Sequence, residues 1–299
     1  MPRYLNGFSE IAEDYDVLLC DVWGVIHNGV AHFPKAVDAL QRFRANGGTV
    51  ILITNAPRPS AKVVSFLDKL RVPRDAYDAV VSSGDVTVSL IAERRTQSLM
   101  HLGPDYDHAL FDAAADVLGH APHFAPLETA DYVVCTGLLD DRTETPADYA
   151  ETLAAMRRRN LDFICANPDI VVQVGETLIY CAGALAEVYE AIGGSVIQAG
   201  KPYAPIYQRA VQEAAQLRGK IPDSARVLAI GDAMHTDIKG AQRQSLATLF
   251  VTSGIHRGEL HRADLHAAEA PSGLDAAAFR QFFEDTGFAP MAAITELAW

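Results

Sequence analysis

The sequence predicts an α/β protein: a doubly wound parallel sheet interrupted by an inserted α/β segment. Short apolar runs alternate with stretches of helical spacing from residue 16 to residue 251, the pattern of βα units feeding a parallel sheet. The runs end in small or polar residues, at Asp21, Thr54-Asn55, Ser82-Ser83-Gly84 and Gly231-Asp232. The alternation of the first 84 residues resumes at Ser195, after a stretch with a complete alternation of its own. Residues 1–84 and 195–299 are therefore expected to form one core, and residues 85–194 an insert.

In chain order, the apolar run 17–20 leads into Asp21 and breaks at Gly24, a buried strand ending in a tight turn. Residues 34–45 carry Val37, Leu40 and Phe43 at helical spacing, stop at Gly47-Gly48, and give way to a β-rich run at 49–53. A second helix follows Ser60 (Val63, Phe66, Leu67, Leu70), then a strand at 79–81 and a helix from 86 to 92. Within the insert, strands are expected at 98–102, 132–135 and 163–166, and helices at 108–118, 146–158 and 183–192. Residues 170–174 and 177–180 read as a hairpin around Gly175-Glu176. The core then resumes with a strand at 195–198, a helix at 205–217, a strand at 226–230, a short helix at 238–244 and a strand at 247–251. Helices such as 275–283 are expected to cover the sheet.

The chain has 299 residues, enough for a sizeable core, and its 49% hydrophobic and 21% charged composition is ordinary for a globular protein. A formal charge of -13 repels nucleic acid and anionic membrane surfaces, so neither is an expected partner. A small anionic ligand would need a locally positive pocket. No window approaches the ~20 apolar residues of a membrane span, and residues 1–15 lack the apolar stretch of a secretory signal; a cytoplasmic location is expected. Cys20, Cys135, Cys165 and Cys181 are widely spaced and sit in or beside apolar runs, as buried reduced thiols would.

In open α/β sheets the reactive crevice lies outside the carboxyl ends of the strands. Asp21, Thr54-Asn55, Lys201, and Asp232 with Asp237 stand at expected strand ends or just beyond. Three carboxylates within ~4 Å of one another would repel by ~4 kcal/mol per pair at an effective dielectric of 20. Such a set needs cations. Lys201 supplies one, and Mg²⁺ suits the other, since it combines one or two carboxylates with phosphate oxygens and water. Thr54 and Asn55 offer a hydroxyl, an amide and main-chain N–H groups at a strand-to-helix turn, which fits phosphate oxygens. Asp21 is then placed as a nucleophile. The combination points to phosphoryl transfer.

The segments VLLCDVWGVIHNG, ITNAPRPS, AGKPYAPIY and AIGDAMHTDIKGA resemble, in order, the four motifs of the haloacid dehalogenase-like (HAD) hydrolases. The insert of about 110 residues stands where the class IIA branch of sugar, nucleotide, pyridoxal and nitrophenyl phosphatases carries a large α/β cap. The resemblance implies a Rossmann-like core with an inserted α/β cap domain. It implies Mg²⁺ bound by Asp21, the Trp23 main-chain carbonyl and Asp232, with Asp237 supporting the metal shell. Asp21 becomes the nucleophile, Thr54 and Asn55 hold phosphate, and Lys201 neutralises Asp21 and phosphate. Asn167-Pro168-Asp169 looks like the family's substrate-facing loop, although the same tripeptide is also an ordinary Asx turn. The implied substrate is a small phosphorylated metabolite, and caps of this branch often mediate a homodimer.

One position departs from the pattern. Family phosphatases carry a second Asp two residues after the nucleophile, and here that residue is Trp23, whose indole has one N–H donor and no acid. General acid–base help is worth about 10²–10⁴-fold. Three readings follow: a phosphatase working on a good leaving group or through another donor, with a dehalogenase-like hydrolase as a variant; a non-catalytic phosphate-ligand sensor; or a vestigial site. His27 and His235 are the nearby histidines, each read as a loop histidine rather than a base.

Overall fold

A computed structural model of the chain describes residues 1–174, 177–261 and 275–299. It divides into two compact units: Met1–Ile53, Asp68–Ala79 and Ala210–Trp299 form the first, and Thr54–Leu67 with Val80–Arg209 the second.

The first unit is built on parallel strands in the order Arg3–Tyr4, Ala292–Ile294, Ala247–Val251, Val227–Gly231, Val17–Asp21, Thr49–Thr54. The strands Val17–Asp21, Thr49–Thr54 and Val227–Gly231 are buried along their whole length, which is why they read as continuous apolar runs rather than alternating ones. From Val17–Asp21 the chain steps outward one way to Thr49–Thr54, and later the other way through Val227–Gly231, Ala247–Val251 and Ala292–Ile294. Right-handed crossovers in opposite directions put helices on both faces. The switch point falls between Val17–Asp21 and Val227–Gly231, where Cys20 pairs with Ile230. Asp21 and Asp232 therefore leave neighbouring strands side by side.

Helix Pro34–Ala45 follows the first of these strands, with Pro34 at its first turn and Val37, Leu40 and Phe43 buried. The tail helix Ala276–Thr286 is capped by Asp275, which accepts from the Ala277 and Ala278 N–H groups. Its Phe279, Phe282 and Phe283 pack with Phe250, Ile238 and Met234.

The second unit has its own parallel sheet, ordered Ser195–Gln198, Asp162–Cys165, Tyr132–Cys135, Ser98–Leu102, His123–Phe124. Its two faces follow the strand period of two. Val133, Cys135, Phe163 and Cys165 pack with Leu153, Met156, Leu185 and Tyr189 of helices Ala150–Arg158 and Ala182–Ala191. Tyr132, Val134 and Ile164 pack with Val88, Ile91, Leu110 and Phe111 of helices Ser83–Glu93 and Ala109–Leu118.

The strand Ser195–Gln198, expected from sequence alternation in the core, belongs to this second sheet, paired in register with Asp162–Cys165. The crossover through Ala182–Ala191 and a three-residue turn returns the chain beside the strand it left. Helix Ser83–Glu93 starts three residues before the expected 86, because a capping box between Ser82 and Asp85 satisfies its first turn. The hairpin forms as an antiparallel pair, Val171–Val174 with Thr177–Tyr180; Gly175-Glu176 lies outside the described residues. All four cysteines are buried thiols outside any disulfide, and among the described residues no helix is long and apolar enough to cross a membrane.

Candidate active site

Three aspartates meet at the switch point of the first unit. One oxygen each of Asp21, Asp232 and Asp237 lies within 4.8 Å of the others; their exposures are 6%, 5% and 3%. Asp21 ends the buried strand Val17–Asp21, and Asp232 follows the strand Val227–Gly231. Asp237 sits on a wide turn in which the Ile238 N–H reaches back five residues to the Ala233 carbonyl at 3.3 Å. Widened helical turns of this kind are frequent at functional sites.

Glycines shape the seat of Asp232. A Cβ at Gly24 or at Gly254 would overlap its carboxylate, and a Cβ at Gly231 would overlap Asp237. Gly24 has φ +83°, a left-handed conformation that side chains resist. The Ile255 N–H donates to Asp232 Oδ2 at 2.7 Å, and the Ala233 N–H to Asp237 Oδ2 at 3.1 Å. These donors orient the acids without neutralising them. Carboxylates at this spacing repel by about 3–4 kcal/mol per pair at an effective dielectric of 20. An all-oxygen carboxylate set suits a hard cation such as Mg²⁺ or Ca²⁺ rather than a thiophilic metal.

Trp23 lies on the turn that follows Asp21. Its ring packs against Gly29 and meets the His27 ring edge-on, with centroids 5.1 Å apart. His27 is buried, and its Nδ1 accepts from the Gly29 N–H at 3.0 Å. Burial lowers its pKa to about 4, so near neutral pH it is uncharged with its proton on Nε2. His235 is exposed and meets Phe288 edge-on at 6.1 Å.

The remaining expected residues lie in the second unit. Thr54 ends its strand with Oγ1 accepting from the Ala56 N–H at 3.2 Å. Asn55 Oδ1 accepts from the Lys201 N–H at 2.7 Å, while Nδ2 donates to the Lys201 carbonyl at 3.1 Å and to Asp169 Oδ1 at 2.8 Å. Lys201 itself is 3% exposed. Asn167 forms the Asx turn, its Oδ1 accepting from the Asp169 N–H at 3.2 Å. Its carbonyl accepts from the Gly183 N–H at 2.8 Å; a Cβ at Gly183 would overlap the Pro168 and Asp169 carbonyls.

Two features had no sequence signal strong enough to single them out. Gly254 and the Ile255 N–H follow the strand Ala247–Val251, which neighbours Val227–Gly231; Ser253-Gly254 reads in the sequence only as a strand end. Arg58 pairs with buried Asp107 at 3.2 Å and lies 5.3 Å from the Tyr106 ring centroid, while Tyr106 donates to Asp141 at 2.6 Å. Burial raises the Asp107 pKa and the Arg58 charge opposes that rise.

Residues 18–115 match a family model described as haloacid dehalogenase-like hydrolase, and residues 198–276 one described as HAD-hydrolase-like. A crystal structure of a hydrolase of the haloacid dehalogenase-like family from Brucella suis 1330 aligns over 100% of both chains, with 42% identity and a TM-score of 0.82. The chain belongs to the haloacid dehalogenase-like hydrolase family. Its two parallel sheets with flanking helices are that family's Rossmann-like fold.

This HAD-like hydrolase is also similar to a curated D-glycerol 3-phosphate phosphatase from Mycobacterium tuberculosis, at 29% identity over 249 residues. That match spans 83% of this chain but only 66% of the relative. A crystal structure of the glycerol phosphate phosphatase from the same organism, in complex with magnesium, has 26% identity and a TM-score of 0.62 over 82% of this chain and 70% of that one.

Proposed function

We propose that this hydrolase is a class IIA phosphatase that uses a divalent cation, Mg²⁺, to cleave a small phosphorylated metabolite through an aspartyl phosphate on Asp21. The observation that carries the reading is the buried Asp21, Asp232 and Asp237 cluster, an acidic set of the kind that a hard cation completes. The phosphatase named among its relatives, and the magnesium complex of that protein, support the same chemistry.

In this reading Asp21 attacks phosphorus, an Asp–O–P bond forms and the bond to the leaving oxygen breaks. Water then attacks the phosphorus, which frees Asp21 and inorganic phosphate and gives a proton to solvent. Bound by Asp21, Asp232 and the Trp23 main-chain carbonyl, with Asp237 behind them, Mg²⁺ would supply charge to the phosphoryl oxygens. Thr54, the main-chain N–H of Asn55 and Lys201 hold the phosphate, and Lys201 also offsets the charge of Asp21. Asn167 and Asp169 stand on the loop that faces the organic part of the substrate. The insert, whose sheet takes in the strand Ser195–Gln198, acts as the cap of the core, excluding stray water from the aspartyl phosphate.

Trp23 sets the limit on substrate. With an indole in place of an acid and His27 held neutral, the leaving oxygen departs without a strong proton donor. Good leaving groups are therefore favoured. The same observation also favours a second reading, a phosphate-ligand binder that no longer turns over.

The test is hydrolysis of 4-nitrophenyl phosphate, with and without Mg²⁺, by the wild type, Asp21→Asn and Trp23→Asp. Mg²⁺-dependent turnover by the wild type that Asp21→Asn abolishes supports the phosphatase. Turnover that appears only in Trp23→Asp supports the binder, and metal-independent halide release from a haloacid would replace both with a dehalogenase.

A further inference from the structure

The Asn55 side chain has one acceptor face and two N–H donors to place. The Lys201 N–H can only donate, which fixes Oδ1 against it at 2.7 Å. That orientation sends both Nδ2 hydrogens to protein acceptors, the Lys201 carbonyl and the Asp169 carboxylate. The amide thus pairs with both main-chain groups of one residue, as a neighbouring strand would, and spends its remaining donor on a second loop. Nothing is left over to donate to a ligand.

The surroundings are built to this arrangement. A Cβ at Gly200 would overlap Asn55 Oδ1 and come within 2.9 Å of Pro168 Cδ, so residue 200 must be glycine for the clamp to close. Asn55 is 4% exposed and Lys201 3%, so these bonds lie out of water, where their directionality counts most. The loop 167–169 is fixed in turn by its Asx turn and by Gly183.

We propose that the Asn55 side chain is a positioning residue: it fixes the main chain from which the Lys201 ammonium is aimed and ties it to the Asp169 loop, rather than binding phosphate itself. The proposal rests on the phosphatase reading only for what Lys201 is aimed at. A substrate-facing loop and a phosphate-facing lysine share one amide as their common anchor, so that disturbing Asp169 reaches Lys201 through Asn55.

The experiment compares the wild type, Asn55→Ala, Asp169→Ala and the double variant by two readouts. The first is amide hydrogen exchange over the segment containing Lys201, which needs no activity. Removing Asn55 should speed exchange of the Lys201 amide by about tenfold or more, and Asp169→Ala by a smaller factor. The second is kinetics on 4-nitrophenyl phosphate with Mg²⁺, and inhibition by inorganic phosphate. A displaced lysine should lower kcat by about 10–100-fold and weaken phosphate inhibition with it, and on a Lys201→Ala background Asn55→Ala should cause no further loss of either. Singles that act through one amide should fail to multiply in the double variant.

Unchanged exchange at Lys201 in Asn55→Ala overturns the proposal. So does a further loss of phosphate inhibition when Asn55→Ala is added to Lys201→Ala, or single effects of Asn55→Ala and Asp169→Ala that multiply. If Asn55→Ala does not fold, Asp169→Ala alone decides by whether exchange at Lys201 rises. A wild type that hydrolyses no phosphate monoester sinks the phosphatase reading and leaves the exchange result standing.

Discussion

The acidic cluster of the first unit gathers like charges, whereas the amide network of the second, equally buried, matches donors with acceptors. Asn55, Lys201 and Asp169 satisfy one another with well-formed hydrogen bonds. Asp21, Asp232 and Asp237 bring like charges within 4.8 Å, and glycines are kept at 24, 231 and 254 to make that approach possible. Matched donors and acceptors add to stability, whereas like charges held together cost it, and a bound divalent cation offsets that cost. The contrast teaches that the second region is arranged to satisfy itself and the first to concentrate negative charge.

The largest test of that contrast is removal of the carboxylate proposed as nucleophile. Asp21→Asn should cost at least about 10⁴-fold in kcat, as loss of the group that forms the covalent bond does in other enzymes, read as 4-nitrophenolate release. Next comes the glycine seat. Gly254→Ala places a methyl against the Asp232 carboxylate and should weaken the apparent affinity for Mg²⁺ by about 10–100-fold, the usual effect of disturbing a ligand's support, measured by titrating activity or calorimetric heat against the metal.

Smaller and sharper is a stability comparison. Mg²⁺ at a hundred times its dissociation constant should stabilise the wild type by about 2.7 kcal/mol, visible as a rise in melting temperature. Asp232→Asn should melt higher than the wild type without metal and gain little when Mg²⁺ is added. The opposite pattern, an apo protein destabilised by Asp232→Asn, would erase the distinction between the two regions.

The smallest effect concerns the second unit in acid. Burial, aided by the nearby His108 ring and opposed by Asp105, lowers the His101 pKa to about 4, while the unfolded chain titrates near 6.5. Between those values the unfolded chain holds more protons than the folded one, so stability is lost as pH falls from about 6.5 toward 4. After allowance for partial solvation the loss attributable to His101 is about 1–2 kcal/mol. Denaturant melts at pH 7 and pH 5 should diverge less in His101→Asn than in the wild type.

Much of this architecture was legible in the sequence, for physical reasons that also explain what was not. Val17–Asp21, Thr49–Thr54, Val227–Gly231 and Ala247–Val251 are central strands covered on both faces, and their apolar runs announce them. Arg3–Tyr4 and His123–Phe124 are exposed two-residue pairings with no period to read. Ser195–Gln198 was recognisable as a strand, but which sheet it joins depends on its partner, Asp162–Cys165, and pairing is not a local property. Asp21 and Asp232 were legible because they stand at or just after a strand's carboxyl end, and Asp237 by its place five residues beyond Asp232. The seat of Asp232 was not, since Gly24 and Gly254 are brought to it by neighbouring strands. Asn55 could be singled out as polar and well placed; that its amide is consumed by Lys201 and Asp169 emerges only from three distances measured together.

The four thiols give the molecule internal timers. Cys20 is sealed in the first unit and Cys135, Cys165 and Cys181 in the second, with burial pushing the last three far from their reactive form. An alkylating reagent can reach them only when the surrounding unit opens. The order in which peptides bearing Cys20 and the other three acquire label under native conditions would clock each half of the chain separately, without a single substitution.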